Sequence, residues 1–406
     1  MLALLALSCA APRPPAASGT AVDVAAEESV PAPFVPSLPA ASAYGQPVDE
    51  PPSPEEAAIE RIVQEAARAA AVGPPAWDGR LARVAADLAS AVPDDGPPPG
   101  RLVDFVARHH GMVETSPHLV VLDVEGARTV KTDRVLLDHL RAVLSESPGK
   151  FTLLGVGMAG RRVVIALGER HVEIAPVARR LARGERVEIT ATVLPPYTGA
   201  GGYLQVPDGT IRPLARQGTA LSAAVACEAQ AGRFQVEITG QDRFGTAVLA
   251  NFPIWCEVDP PAQMAWAPEG LPPRSAEEAE AAILALVQRD RRTAGLSPLR
   301  ADPRLAALSR AHSEDMRDAR FVGHVSPGAG GPAERARRSG VKAAVLLENV
   351  ARAYTPEDIQ QSLLESPGHR ENILDPRVTH LGVGVALGQS VVGRRELWVT
   401  QTFARY

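Results

Sequence analysis

The chain has 406 residues, and at about 150 residues per domain it has room for two or three independent cores. Lys and Arg total 42 against 47 Asp and Glu, a formal charge of -5, so no basic excess is available to neutralise a phosphate backbone and nucleic acid is excluded as the expected partner. Hydrophobic residues make up 45% of the chain, yet no apolar run approaches the roughly 18 residues that span a bilayer, and membrane contact is expected only through an end of the chain.

Residues 1–11 read MLALLALSCAA, an apolar stretch that stops at Cys9 among small residues, as the end of a secretory signal does. The basic n-region of a complete signal is missing, which places the expected start upstream. Ala6-Leu7-Ser8-Cys9 resembles a bacterial lipoprotein cleavage box with Cys9 as the acylated residue; the alternative is an ordinary cleaved signal with an incidental Cys. Cys227 and Cys256 sit in strand-like text with no His or further Cys nearby to build a metal site. In an exported chain they are expected to form a disulfide.

Residues 12–52 are rich in Pro, Ala and Ser and poor in large apolar side chains, the composition of a disordered tether. From Ser53 a helical period brings Ile59, Ile62 and Val63 to one face, and a second helix follows Asp78 with Leu81, Val84 and Leu88. Strand-like runs at 119–124 and 163–167 make 53–180 a mixed α+β domain. Over 183–260 short β-branched segments alternate with turn residues, the pattern of a small immunoglobulin-like β-sandwich, with Trp255 beside Cys256 as its expected core aromatic. A Pro-rich linker covers 261–274. The last domain, 275–406, opens at Ser275 with Glu278 three residues on, continues through Asp302-Pro303 and Thr355-Pro356 as helix starts, and closes on two strands. That order is a layered α/β/α sandwich built from antiparallel strands.

Five blocks of this domain carry a resemblance: Ala311-His312-Ser313-Glu314-Asp315-Met316, Phe321-Val322-Gly323-His324-Val325-Ser326-Pro327, Glu348-Asn349-Val350-Ala351, Glu365-Ser366-Pro367-Gly368-His369-Arg370-Glu371-Asn372, and Leu381-Gly382-Val383-Gly384. In this order the text resembles the CAP superfamily, the cysteine-rich secretory, antigen 5 and pathogenesis-related-1 proteins, in a cysteine-free bacterial form. The resemblance implies that His324, Glu348, Glu365 and His369 form a cleft tetrad. Two imidazoles and two carboxylates suit Zn²⁺ or another divalent cation, with His324 and His369 as ligands and Glu348 and Glu365 in support. The other reading has the carboxylates simply accepting hydrogen bonds from the His rings. Pro367-Gly368 is expected to end the helix after Glu365, presenting His369 from a turn. His312 falls on the apolar side of its helix and reads as a satisfied core-edge histidine.

Ser326 and Ser366 are each followed by Pro and read as turn residues without a nucleophile elbow. Gly155-Val156-Gly157-Met158-Ala159-Gly160 has the GxGxxG spacing, but strand-like text follows it where a dinucleotide site needs a helix. Instead, the order of 81–88, 146–149 and 154–157 parallels that of 305–316, 365–368 and 381–384, so the first domain reads as a degenerate copy of the CAP fold, with Lys150 standing in the place of His369. His109, His110 and His118 read as surface or loop histidines. The expectation is thus a multidomain α+β protein, exported to the cell envelope or beyond, that binds a small molecule, lipid or peptide in the His/Glu cleft. A metal- or His-dependent hydrolase of peptide or ester bonds is the alternative, and envelope scaffolding the third.

Overall fold

The segment expected to be a loose tether over 12–52 is held down from residue 33 onward. Strand β1 (Ala43–Tyr44) pairs antiparallel with Val177 and Ala178, Tyr44 is fully buried, and the Ser37 amide donates to Asp87. Two aromatic anchors, Phe34 and Tyr44, seat an apolar-poor strap on a preformed surface, which average composition does not register. The computed structural model describes residues 33–91, 98–123, 130–146, 149–228, 230–266, 272–390 and 393–406; the side chains of 130–132 are not described. Residues 1–11 with Cys9, and 12–32 of the tether, lie outside the described residues.

Helix α1 (Pro54–Ala69) starts on a reciprocal cap, in which the Ser53 side chain accepts from the Glu56 amide and the Glu56 carboxylate accepts from the Ser53 amide. After β2 (Ala76–Trp77), Asp78 accepts from the amides of Arg80 and Leu81 and so opens α2 (Gly79–Ala91). There follow α3 (Gly100–His109), β3 (His118–Asp123), α4 (Val130–Glu146), β4 (Leu153–Ala159) and β5 (Arg162–Gly168). The sheet order is β2-β4-β5-β3, with β2 parallel to β4 and the other pairs antiparallel. One face, with Leu154, Val156, Ile165 and Leu167, packs on α1 and α4; the other, with Val164 and Ala166, packs on α2 and α3. The GxGxxG text lies on β4 and the turn into β5, as a hairpin.

Strands β6 (Val172–Ile174), β7 (Val177–Ala178) and β8 (Arg180–Leu181) follow, and β6 and β8 join the sandwich, so the expected boundary at 180–183 falls about ten residues earlier. The sandwich continues with β9 (Arg186–Val193), β10 (Thr198–Gln205), β11 (Ile211–Pro213), β12 (Ala215–Gln217), β13 (Ala220–Ala226), β14 (Gly232–Asp242) and β15 (Gly245–Cys256). Its sheets, β11-β10-β14-β15-β8 and β12-β13-β9-β6, share one core containing Ile189, Leu221, Val236 and Phe252. Cys227 and Cys256 form a disulfide from the end of β13 to the end of β15, joining the two sheets. Closing a loop of that length contributes on the order of 3 kcal/mol. Trp255 is not the core aromatic. Strand alternation that turns Cys256 inward turns Trp255 out, where it is half-buried under Arg233, and Phe252 and Phe234 fill the core instead.

The last unit runs α5 (Ala276–Thr293), β16 (Arg300–Ala301), α6 (Pro303–Asp318), α7 (Pro332–Arg338), β17 (Val345–Ala353), α8 (Pro356–Glu365), α9 (Pro367–Leu374), β18 (His380–Gln389) and β19 (Arg395–Arg405). Ser275, Asp302 and Thr355 cap α5, α6 and α8 as their text implies. The sheet order is β16-β18-β19-β17, with β16 parallel to β18 and the rest antiparallel, the same order and directions as β2-β4-β5-β3. Gly382 and Gly384 let β18 touch α6 so closely that an added Cβ would lie 2.2 and 2.0 Å from helix backbone atoms; Gly155 and Gly157 do the same for β4 under α2, at 2.2 and 2.0 Å. Proline corrects one expectation: Pro367 is the first residue of α9, so His369 stands in the first turn of a new helix and not in a loop.

Candidate functional site

β17 and the segment after α6 place Glu348 beside His324. His324 Nδ1 lies 3.1 Å from Glu348 Oε1, and Arg335 of α7 donates to Glu348 Oε2 at 2.5 Å. Arg335 also donates to the carbonyls of His324 and Gly330, at 2.7 and 2.6 Å, tying the His324 loop to the helix. Burial alone pushes the Glu348 carboxyl up, but the His324 hydrogen bond and the charges of Arg335 and His312 outweigh it and hold the group below the usual carboxylate range. His312 is 1% exposed, with Nε2 2.9 Å from the Gly323 carbonyl and 4.0 Å from Glu348 Oε1. Burial pushes its pKa down, so it is a neutral core histidine. The expected full satisfaction is not met: Nδ1 has no partner among the described residues.

His369 and Glu365 belong to a second arrangement. His369 Nδ1 lies 2.7 Å from Ser366 Oγ, Ser366 Oγ bonds Glu237 Oε2 of β14, and the Gly368 amide donates to Glu237 Oε1 at 3.2 Å. Burial, with the neighbouring His324 charge, pushes His369 down to about 3, and burial pushes Glu237 up to about 7 despite the bonds from Ser366 and Gly368. Ser366 Oγ donates to Glu237 Oε2, which leaves its oxygen to accept from His369 Nδ1. Glu365 turns away from this chain: its Oε1 accepts from Gln361 at 2.7 Å, while its carbonyl accepts from Asn251 of β15 at 3.1 Å. It also lies close to Asp104 of α3, whose carboxyl is pushed up to about 6 by burial and by the Glu365 charge.

The expected tetrad is therefore divided. His324 meets Glu348, His369 meets Ser366, and Glu365 faces the first unit; among the described residues no group of three or more His, Cys, Asp or Glu is arranged to hold a metal ion. The sandwich docks on the His324 side of this cleft. Its β14–β15 hairpin inserts Phe244 against Phe321, rings stacked 4.7 Å apart, and the Phe244 carbonyl accepts from the Val325 amide at 2.8 Å. Gly323 is required there, because a side chain would meet the Phe244 carbonyl 2.6 Å away. What stays open is a cavity of about 660 Å³ where all three units meet, with Glu365, Ser366 and His369 on one wall and Trp255 and Phe105 on others.

Sequence reasoning missed Glu237, Arg335 and Phe244. Gln235, Glu237 and Thr239 alternate with core residues along β14, which reads as a solvated strand face until docking buries all three. The text of α7, Pro-Ala-Glu-Arg-Ala-Arg-Arg, reads as a solvated basic turn. His109 and His110 are not surface residues: both are buried, and His110 Nε2 lies 2.7 Å from Asp87. His118 is half-buried at the start of β3 beside Phe151. Lys150 does not stand in a helix as His369 does; it precedes β4 and pairs with Glu169 at 3.0 Å.

Residues 284–403 match the family model for CAP, the cysteine-rich secretory protein family. An uncharacterized protein, YkwD, of Bacillus subtilis (strain 168) is 36% identical over 120 residues, which are 29% of this chain and 47% of that protein. An uncharacterized membrane protein, YlbC, of the same organism is 36% identical over 108 residues, 26% of this chain and 31% of that one. The chain thus spans about half or less of the length of these curated relatives. Among solved structures, an extracellular protein containing a SCP domain from Bacillus anthracis str. Ames aligns at 20% identity with a TM-score of 0.30, over 62% of this chain and 81% of its own. The five motif blocks, the layered unit that they build and the family match agree: the C-terminal third of this chain, residues 284–403, is a CAP domain of the cysteine-rich secretory protein family.

Proposed function

We propose that this is an exported CAP-domain protein that binds a small organic ligand in the cavity on which Glu365, Ser366 and His369 open. The cavity carries the reading: about 660 Å³ is the size of a small-molecule site, and its walls combine Trp255, Phe105 and Pro253 with a few convergent polar groups. Export is supported by the signal-like text ending at Cys9 and by a disulfide of the kind that persists in oxidising compartments. Lipid anchoring through Cys9 belongs to the same proposal, as does the reading of the central sheets as an immunoglobulin-like sandwich. The first unit is read as a degenerate copy of the CAP fold, supported by the shared strand order and the matching glycine contacts.

A divalent cation does not fit this donor set. Both Glu348 oxygens are already committed, one to His324 and one to the buried Arg335 guanidinium, and an ion beside them would meet that positive charge. The hydrolase alternative has one contact in its favour, Ser366 Oγ to His369 Nδ1. Against it, an imidazole pushed down to about 3 is a weak general base, Ser366 is 4% exposed, and the carboxyl stands behind the serine instead of behind the histidine.

Calorimetric titration with 1-naphthol, a neutral ring-sized probe, tests the cavity. Wild type is expected to bind saturably, and Val248→Trp, which fills the cavity from β15, to bind at least tenfold more weakly. Identical heats from the two proteins would overturn the proposal.

A further inference from the structure

We infer that the ligand of this cavity carries an anionic group, a carboxylate or a phosphate, on an apolar ring-sized body; the inference rests on the cavity being a ligand site. Four guanidiniums border it: Arg101 and Arg108 of α3, Arg179 before β8, and Arg233 of β14. Arg108 acts on the Asp104 carboxyl through its charge, and among the described residues none of the four is hydrogen-bonded to a carboxylate. Arg108 donates to the carbonyls of Met112 and Glu114, both at 2.5 Å. Arg179 donates to those of Ala41 and His109, at 2.9 and 3.3 Å, and Arg233 donates to Gln235 Oε1 at 2.6 Å. Neutral acceptors position these side chains without cancelling their charge. The contrast within the molecule is plain, since Arg80, Arg310 and Arg335 each pair with a carboxylate.

Two carboxyls, Asp104 and Glu365, share the cavity wall with the four guanidiniums, so the wall keeps a positive excess. Tyr44 and Arg179 stand together at this wall, the guanidinium 5.4 Å from the ring. A carboxylate or phosphate fits the guanidinium geometry that the wall presents. Trp255, Phe105 and Met264 provide the apolar surface for the body that bears it.

The probes are 1-naphthoate and 1-naphthyl phosphate, titrated beside 1-naphthol and inorganic phosphate into wild type and into Arg101→Gln/Arg233→Gln, two exposed positions whose loss leaves the fold intact. Both organic anions are expected to bind at least tenfold more tightly than naphthol. The double variant should lose at least fivefold for the anions and nothing for naphthol. Equal affinity for all three naphthyl compounds, or equal losses in the variant, would overturn the anion preference while the cavity reading stands. Inorganic phosphate binding as tightly as naphthyl phosphate would overturn the apolar body. Failure of every probe to bind at millimolar concentration would overturn both the inference and the ligand site beneath it.

Discussion

The two α/β units share a sheet plan and differ in what lines it. Sheet register pairs Gly155 with Ala166 and Leu119 with Ala166, as Gly382 and Glu348 pair with Thr402; one layer over, Gly157 faces Val164 as Gly384 faces Thr400. Where α6 sends Ser309 and Ser313 to Thr402 and Thr400, α2 presents Ala85 and Ala89 at the same offset from its capping aspartate. His312 has Leu88 in its place, and Glu348 has Leu119. The polar cleft thus stands at positions that the first unit fills with apolar residues in the same sheet order, and burying it carries a cost in desolvation. Fold and site are separable here.

The sharpest way to break the comparison is to write the first unit's residue into the second. Glu348→Leu leaves Arg335 buried without its carboxylate, and chemical denaturation is expected to show a loss of about 3–5 kcal/mol. A loss under about 1 kcal/mol would mean that the cleft tolerates the apolar lining as it stands.

Glu237 marks a second asymmetry, since the sandwich sends this carboxyl only to the CAP unit. It faces Ser366 Oγ and the Gly368 amide, with Tyr203 alongside and His369 beyond the serine. Its folded pKa is raised from 4.5 to about 7, so the unfolded chain ionises first as pH rises. Stability is therefore expected to fall by about 3 kcal/mol between pH 4.5 and 7 and to level off above, His369 and Tyr203 staying neutral throughout. Glu237→Gln should flatten that slope, most clearly between pH 6 and 7, above the range in which Asp104 contributes a fall of the same sign; an unchanged slope assigns it to another group.

The matching glycines predict matching costs. Gly157→Ala and Gly384→Ala each place a methyl 2.0 Å from a helix backbone atom, and each is expected to cost about 1–3 kcal/mol or more, through forced separation of helix and strand. Unequal thermal shifts would show that the two frames close differently.

The smallest effect separates the two capping aspartates. Asp78 is held down to about 2: burial raises it, but Arg80 and Arg170 outweigh that. Its contribution is present above pH 3.8 and is lost as pH falls toward 2, about 2 kcal/mol in all. Asp302 is also held low, but its partner Arg304 is 64% exposed, so Asp302→Asn should flatten the acid limb less than Asp78→Asn.

Much of the frame was readable before any coordinates. Ser53, Ser275, Asp302 and Thr355 announce helix starts by side-chain chemistry acting within three residues. Helices α3 and α4 carry no such signal, because the first follows a Pro-rich stretch and the second has a mixed polar face. An aromatic beside a cysteine suits a sandwich core, but alternation decides which of two neighbours faces in, and Trp255 faces out.

What the sequence by itself determined is therefore local: caps, strand alternation, the paired cysteines and the CAP blocks. Tertiary structure alone decided that Arg335 would take Glu348, that a hairpin bearing Phe244 would dock on Phe321 beside the His324 loop, and that Glu237 would reach Ser366 across 129 residues of chain. The physical reason is range. A cap or a strand face is set by neighbours a few bonds away, while the charge and protonation of a cleft are set by whichever surface docks against it, and no residue in the cleft encodes that partner.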